Sequence, residues 1–253
     1  MRSSEKYFIS PSLKAVSIEA ATDAGKELRK CRQSLLSVTY QDRDDIKLKA
    51  DTSSEQTIRE HLLPSGIPII GEEQGGDENL LKSDKQAYWI IDPLDGTYNY
   101  FRGQDHCCVS IALCIGTKVL WGVVHVLSNQ KTYSGGIGEA FEINGKKTYP
   151  QWMHKKDQAC LMTGFPAGMA TSKESLERIT SEINQFKKIR MIGSAAIALA
   201  MVAEGQADCY KEYSVKLWDV AAGLALVESA GGNIQLAPSS ETPYSFDVVA
   251  TGF

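Results

Sequence analysis

The sequence predicts an α/β (α+β) chain built in layers, and three observations carry that prediction. From residue 160 to residue 251, short apolar runs alternate with stretches of helix length, the pattern of helices stacked on sheets. Two of those stretches, 194–204 and 219–230, have no long polar face, so each is expected to be covered on both sides. Residues 107–141 hold β-rich runs divided by Gly116-Thr117-Lys118 and by Gly135-Gly136-Ile137-Gly138, which reads as an antiparallel meander. With 253 residues, 43% of them hydrophobic, the chain can bury a sizeable core as one large domain or two small ones.

Taken in order, Leu13, Val16, Ile18, Ala21, Ala24, Leu28, Cys31, Leu35 and Leu36 recur at helical spacing and predict a helix over 12–38. Residues 40–50 are rich in charge of both signs and read as a loop or irregular strand. A helix is predicted over 51–63, with Asp51, Thr52 or Ser53 as its N-cap and Pro64-Ser65-Gly66 as its stop. Residues 67–71 form a short apolar strand that delivers Glu72 and Glu73 at its exit. Trp89-Ile90-Ile91 begins a second strand, which runs into the polar turn Asp92-Pro93-Leu94-Asp95-Gly96; Thr97 then opens a short helix over 97–102. Strands are expected over 107–115, 119–127, 131–134 and 140–143. The glycine cluster 135–138 reads as a hairpin turn, since no helix follows it and the Lys-Ser/Thr of a phosphate loop is missing. The second half gives strands over 160–165, 189–192, 207–213, 234–237 and 248–251, and a further helix over 172–187.

Composition narrows the function classes. The net charge of −4 carries no basic footprint for a nucleic-acid polymer. A phosphorylated ligand would therefore be met locally rather than by a basic surface. The six cysteines form no C-x-x-C pair, and most lie in apolar runs; free thiols in a reducing compartment are expected. The start, Met1-Arg2-Ser3-Ser4-Glu5, is polar, and no apolar run reaches the ~18 to 20 residues that span a bilayer. A cytoplasmic protein without a membrane partner is the expectation.

Three places concentrate chemistry. Asp92 and Asp95 sit three residues apart; Pro93 fixes φ between them and Gly96 permits close approach to a ligand. Such a pair suits a hard cation together with an anion, although Asp, Pro and Gly also make an ordinary capped surface turn. Glu72 is delivered by the neighbouring apolar strand. Asp219 follows Trp218 at a helix start, where it is either an N-cap or a further carboxylate of the same centre.

In combination, Gly71-Glu72-Glu73, Asp92-Pro93-Leu94-Asp95-Gly96-Thr97 and Trp218-Asp219-Val220-Ala221-Ala222-Gly223 occur in the order in which they resemble the inositol monophosphatase family. These are metal-dependent, lithium-sensitive phosphatases whose relatives include fructose-1,6-bisphosphatases and 3′(2′),5′-bisphosphate nucleotidases. The likeness runs from about Asp51 to Thr251, and Ile192-Gly193-Ser194-Ala195-Ala196 shares its style. It implies a layered α/β/α/β/α sugar-phosphatase-like fold. It also implies a metal-binding half over 1–150 and a half over 151–253 that completes one catalytic unit. The implied cofactor is Mg²⁺, two or three ions, held by Glu72, Asp92, the Leu94 carbonyl, Asp95 and Asp219. Gly96 and Thr97 match the phosphate-binding backbone, and the Thr97 hydroxyl matches the group that orients the attacking water. Asp51 matches the aspartate that works with that threonine, its other reading being the helix N-cap. Leu48 stands where relatives carry a threonine, a departure that bears on the third ion. Glu55 reads as a first-turn acid placed by the helix dipole. Glu212 matches a position that contacts a sugar or polyol hydroxyl, its alternative being a strand-end charge. Gly193 and Ser194 open the next helix toward the substrate.

The implied activity is Mg²⁺-dependent hydrolysis of a small inositol, sugar or polyol phosphate by a metal-activated water, a phosphoric monoester hydrolase inhibited by Li⁺. The alternatives are a 3′(2′),5′-bisphosphate nucleotidase and a non-catalytic phosphate-ligand binding protein that retains the fold. The expected partner is a small phosphorylated substrate. A homodimer is a further expectation, since many relatives are dimers.

Overall fold

The computed structural model describes residues 8–41, 46–165, 173–239 and 245–253. Helix α1 (Pro11–Lys30) starts at Ser10, whose hydroxyl accepts the Leu13 N–H, with Pro11 in the first turn. The helix expected over 12–38 is in fact two. The chain leaves helical geometry at Cys31, and α2 (Arg32–Leu35) follows. The turn lets the Arg32 guanidinium donate to the Tyr100 carbonyl. The stretch read as a loop or irregular strand is a hairpin of β1 (Val38–Gln41) and β2 (Ile46–Leu48). Helix α3 (Lys49–Leu62) begins two residues before the predicted start, which puts Asp51 in its first turn rather than at its cap.

Strands β3 (Ile69–Gly71) and β4 (Ala87–Asp95) are parallel. Helix α4 (Thr97–Arg102) comes directly after Gly96. There follow β5 (Cys108–Ile115), β6 (Lys118–Val126), β7 (Thr132–Gly136), β8 (Glu142–Ile143) and β9 (Lys146–Lys147). Among the described residues, β3 to β9 make a seven-stranded sheet in sequence order, antiparallel after β4. Gly135 and Gly136 end β7 and the chain returns as β8, so the glycine cluster belongs to a hairpin.

The rest comprises β10 (Cys160–Met162), α5 (Lys173–Ile183), β11 (Lys188–Arg190), α6 (Ala195–Glu204), β12 (Cys209–Lys216), α7 (Leu217–Ser229), β13 (Asn233–Pro238) and β14 (Ser245–Thr251). Ser172, the first residue of the helix expected over 172–187, lies outside the described residues. The five strands form a second sheet in the order β11-β10-β12-β14-β13.

The layers follow from burial. α1 and α3 cover one face of the larger sheet, and their core includes Leu28, Ile58, Leu62, Trp89, Ile91 and Val123. α6 and α7 fill the space between the two sheets, with Leu199, Val202, Leu224 and Val227 buried among Ile90, Val124, Tyr210 and Val248. That two-sided burial is what the missing polar faces predicted. α5 lies on the outer side of the smaller sheet, where Glu182 accepts from Tyr213 and pairs with Lys211 on β12. The order is helices, sheet, helices, sheet, helix, the α/β/α/β/α arrangement.

This stacking gathers element ends in one place. The carboxyl ends of the parallel strands β3 and β4 face the amino ends of α3, α4, α6 and α7, as the contacts described next show. Helix amino ends carry unpaired N–H groups and partial positive charge, so this edge favours anions before any side chain is considered.

Candidate active site

Strand β4 does not stop at Asp92, as a strand-then-turn reading would have it. It continues to Asp95 with a register shift against β5 between the two aspartates. The irregularity is pinned from two sides. The Leu94 N–H donates to Asp92 Oδ1 at 3.0 Å, and Ser54 on α3 donates to the Pro93 carbonyl at 2.7 Å. Gly96 then takes φ +85°. A Cβ there would stand 2.4 Å from the His106 carbonyl oxygen, so only glycine passes.

Thr97 is the first residue of α4. Its Oγ1 lies 2.8 Å from Asp51 Oδ1 and 3.0 Å from the Leu94 carbonyl oxygen. One hydroxyl proton serves one of these acceptors at a time. Asp51 Oδ2 accepts the Leu48 N–H at 2.8 Å, so the carboxylate is fixed at both oxygens. Leu48 itself is fully buried in the core and offers no side-chain oxygen. Burial pushes the Asp51 pKa up to about 6, against the Thr97 hydroxyl and the Leu48 N–H.

Asp95 Oδ2 accepts the Ala196 N–H at 2.8 Å, the Ser194 hydroxyl, and more weakly the Cys108 thiol at 3.6 Å. Ser194 is also the N-cap of α6, so Asp95 ties the end of β4 to the start of that helix. The Ser194 hydroxyl, expected to face a substrate, is committed to Asp95, although the residue still lines the pocket. Gly193 lines the pocket with φ +67°, its carbonyl held by Asn99 Nδ2. Asp219 occupies the first turn of α7, not its cap, and its Oδ2 accepts the Lys216 N–H at 3.0 Å.

Glu72, Asp92, Leu94, Asp95, Gly96, Thr97, Gly193, Ser194, Glu212 and Asp219 all line one cavity of about 630 Å³. Asp51 reaches it through Thr97. Electrostatics ties the acids together. Burial, then the charges of Glu72, Asp95 and Asp219, pushes the Asp92 pKa well above the carboxylate range. Burial, then Glu72 and Asp95, does the same to Asp219. Burial raises Asp95 against the hydrogen bonds it accepts, those from Ser194 and Ala196 first. Glu72 rises to about 7 through burial, with the Lys47 charge opposing. Glu212 is not a strand-end surface charge. It is buried, accepts from Tyr210 Oη at 2.9 Å, and is pushed to about 7 by burial.

Two residues that matter here carry weak sequence signals. Glu55, expected in the first turn, lies in the second turn of α3 and is fully buried. It accepts the Glu73 N–H at 2.9 Å, the Gln74 N–H at 3.1 Å and Arg59 Nε at 2.8 Å, and so shapes the turn that presents Glu72. Its spacing of four from Asp51 places both on one helix face. Lys47 lines the cavity between the buried Ile46 and Leu48, and its ammonium pairs with Glu72 and Glu73. His106 has an exposed side chain and contributes its carbonyl, not its ring, to this region.

The donor set is all oxygen: four carboxylates and the Leu94 carbonyl. Hard divalent cations take such donors, and the mutual repulsion of the acids is what a cation would relieve. The residues therefore fit Mg²⁺. Among the described residues, the one place where three ligand atoms lie within 4.8 Å of one another is elsewhere, at Glu19, Asp23 and His61 on the outer helices. There Asp23 pairs with Lys26 and His61, an ion-pair cluster with no link to the cavity. All six cysteines are free, and no helix of the described residues is long and apolar enough to cross a membrane.

Comparison with known proteins gives a family and a set of relatives. The model of the Inositol monophosphatase family matches residues 11–252. The chain is similar to a protein named Nus factor SuhB from Xylella fastidiosa (34% identity over 224 residues, 87% of this chain and 80% of the relative). It is also similar to an inositol monophosphatase from Mesembryanthemum crystallinum (32% over 247 residues, 94% and 88%). A solved structure of the extragenic suppressor protein suhB from Bartonella henselae superposes with TM-score 0.81 at 26% identity, covering 95% of this chain and 93% of that one.

Proposed function

The chain belongs to the inositol monophosphatase family, and from that premise we propose that it hydrolyses a small inositol, sugar or polyol phosphate with Mg²⁺ in the cavity between its sheets. One observation carries the reading: Glu72, Asp92, Asp95 and Asp219, from three separate stretches of sequence, line the same pocket as Thr97, whose hydroxyl is bonded to Asp51. A non-catalytic ligand-binding role gives no reason for that buried, mutually repelling set.

Glu72, Asp92, the Leu94 carbonyl, Asp95 and Asp219 would hold the ions, and Leu94 and Asp92 are already locked to each other. Bound Mg²⁺ supplies neutralisation of phosphate charge and a lower pKa for a water. The protein's share is positioning, which suffices for phosphoryl transfer. The Thr97 hydroxyl donates to Asp51, which leaves its oxygen lone pairs to accept from the attacking water. Asp51 can take up the proton passed through Thr97, since its pKa of about 6 lies near working pH. No side chain caps the start of α4, so the N–H groups after Gly96 meet phosphate oxygens. Glu212 and Gly193 contact the alcohol portion of the ester from the second half. A cytoplasmic setting, Li⁺ inhibition and a homodimer extend the same reading.

A second reading, a bisphosphate nucleotidase, has one observation in its favour: Tyr98 and Phe165 line the cavity while 56% and 50% exposed, and such rings can stack on a base. A phosphate-release screen with Mg²⁺ across inositol phosphates, sugar phosphates and 3′-phosphoadenosine 5′-phosphate separates the readings. Release from polyol esters supports the first, and release only from the nucleotide supports the second. No release from any of them returns the chain to the binding-protein alternative. In the active case, Glu212→Ala should change the order of preferred esters; an unchanged order removes Glu212 from substrate recognition.

A further inference from the structure

Lys47 is unlike every other group on the β4 side of the cavity. Strand β2 alternates: Ile46 and Leu48 are buried in the core, and Lys47 between them points the other way. That way is the cavity, which Lys47 lines beside Glu72, Asp92 and Thr97. Its ammonium stands 3.3 Å from Glu72 Oε1 and also binds the Glu73 carboxylate. Glu73 is held in turn by its own N–H on the buried Glu55. The lysine is therefore anchored by a rigid turn, with its side chain only 25% exposed.

We propose that Lys47 is a built-in cation of this site: its ammonium occupies the Glu72 side of the cavity, where a further divalent ion would otherwise bind, so the chain takes up one divalent cation fewer than its carboxylates could hold. A divalent ion on Glu72 Oε1 needs that oxygen at about 2.1 Å together with a near-complete set of oxygen ligands. The Lys47 Nζ already stands against the same oxygen. Two cations so close repel, and the ammonium cannot leave without abandoning Glu73 as well. The other Glu72 oxygen would remain available to an ion of the acidic set. Lys47 thus settles the metal count, a question distinct from which residues bind metal. The inference rests on the Mg²⁺ reading of the pocket.

The test is a count of bound ions, made without substrate. Wild type, Lys47→Met and Lys47→Arg are titrated with Mn²⁺, with free ion followed by electron paramagnetic resonance and heat by calorimetry. Lys47→Met is expected to bind one more equivalent per chain than wild type, and Lys47→Arg to keep the wild-type count. Lys47→Gln, a polar neutral replacement, should behave as Lys47→Met does and covers the case in which the methionine variant misfolds. Equal counts in wild type, Lys47→Met and Lys47→Gln, including the case where only the KM for a phosphate ester rises, overturn the proposal and leave the metal reading standing. Absence of Mn²⁺ binding in all variants overturns both.

Discussion

Asp95 carries two duties, and its substitution separates them. One oxygen anchors the start of α6 through Ser194 and Ala196, and the charge belongs to the acidic set of the cavity. Asn keeps an acceptor for the anchor and removes the charge. Asp95→Asn is expected to lower phosphate release by more than ~100-fold, above the usual cost of losing a ligand's supporting partner. Its melting temperature without divalent ions should equal or exceed wild type, because a repelling buried charge is gone. Phosphate release and thermal melting check both halves; wild-type turnover would remove Asp95 from the metal set. Glu55 works one step further out. Glu55→Gln leaves either the Glu73 or the Gln74 N–H without its acceptor, at a stability cost of about 1–3 kcal/mol. The Mg²⁺ concentration for half-maximal activity should rise roughly 10- to 100-fold. An unchanged Mg²⁺ requirement in a destabilised variant would reduce Glu55 to a structural role.

At the scale of elements, the junction of β4 and α4 is the sensitive point. The strand must carry an irregularity between Asp92 and Asp95, turn at Gly96, and start a helix at once so that Thr97 meets Asp51. A methyl group at Gly96 collides with the His106 carbonyl at 2.4 Å, while one at Gly138, also at positive φ, meets nothing within 4 Å. Gly138→Ala should therefore cost only the left-handed strain, ~1–2 kcal/mol. Gly96→Ala should cost that plus a displaced backbone, with a larger drop in melting temperature and loss of turnover. Equal effects of the two substitutions in denaturant melts would mean that close packing at the junction is not what demands glycine. The helix starts share this economy. Asp51 and Asp219 each sit in a first turn and fold back onto a preceding N–H, of Leu48 and Lys216. Each steadies its own helix; the second oxygen of Asp51 takes the Thr97 hydroxyl, and Asp219 lines the cavity.

Over the whole molecule, the layers force acids from distant stretches into one low-dielectric space, and that has a pH signature. Glu72 and Glu212 rise from 4.5 to about 7, and Asp51 from 3.8 to about 6, with burial the largest cause in each. The native state then holds protons more tightly than the unfolded chain. Stability is full below the unfolded values and falls as pH rises through the native ones. Metal-free protein should lose melting temperature between about pH 4 and pH 7. Added Mg²⁺ should recover more of it at about pH 8 than at about pH 5, because the carboxylates must be ionised to bind. A flat melting profile, or equal Mg²⁺ stabilisation at both pH values, would show that the acids do not face one another as placed.

Local signals in the chain, hydrophobic period and turn residues, were enough for a layered α/β class, the two doubly covered helices and the short helix at Thr97–Arg102, while the five-layer α/β/α/β/α order came from the family likeness. The sequence also singled out the acids, through motifs whose order carries that likeness. What local signals cannot carry is where a long run breaks or how far a strand continues. The end of α1 at Cys31 and the extension of β4 through Asp95 are set by partners far away, Tyr100 for Arg32 and Ser54 for Pro93. The same holds for Lys47 and Glu55. As letters they are a charged strand residue and a helical acid, ordinary surface choices. Only the packing of β2, α3 and the Glu72–Glu73 turn puts one in the cavity and buries the other under it, because burial and charge pairing are properties of elements brought together.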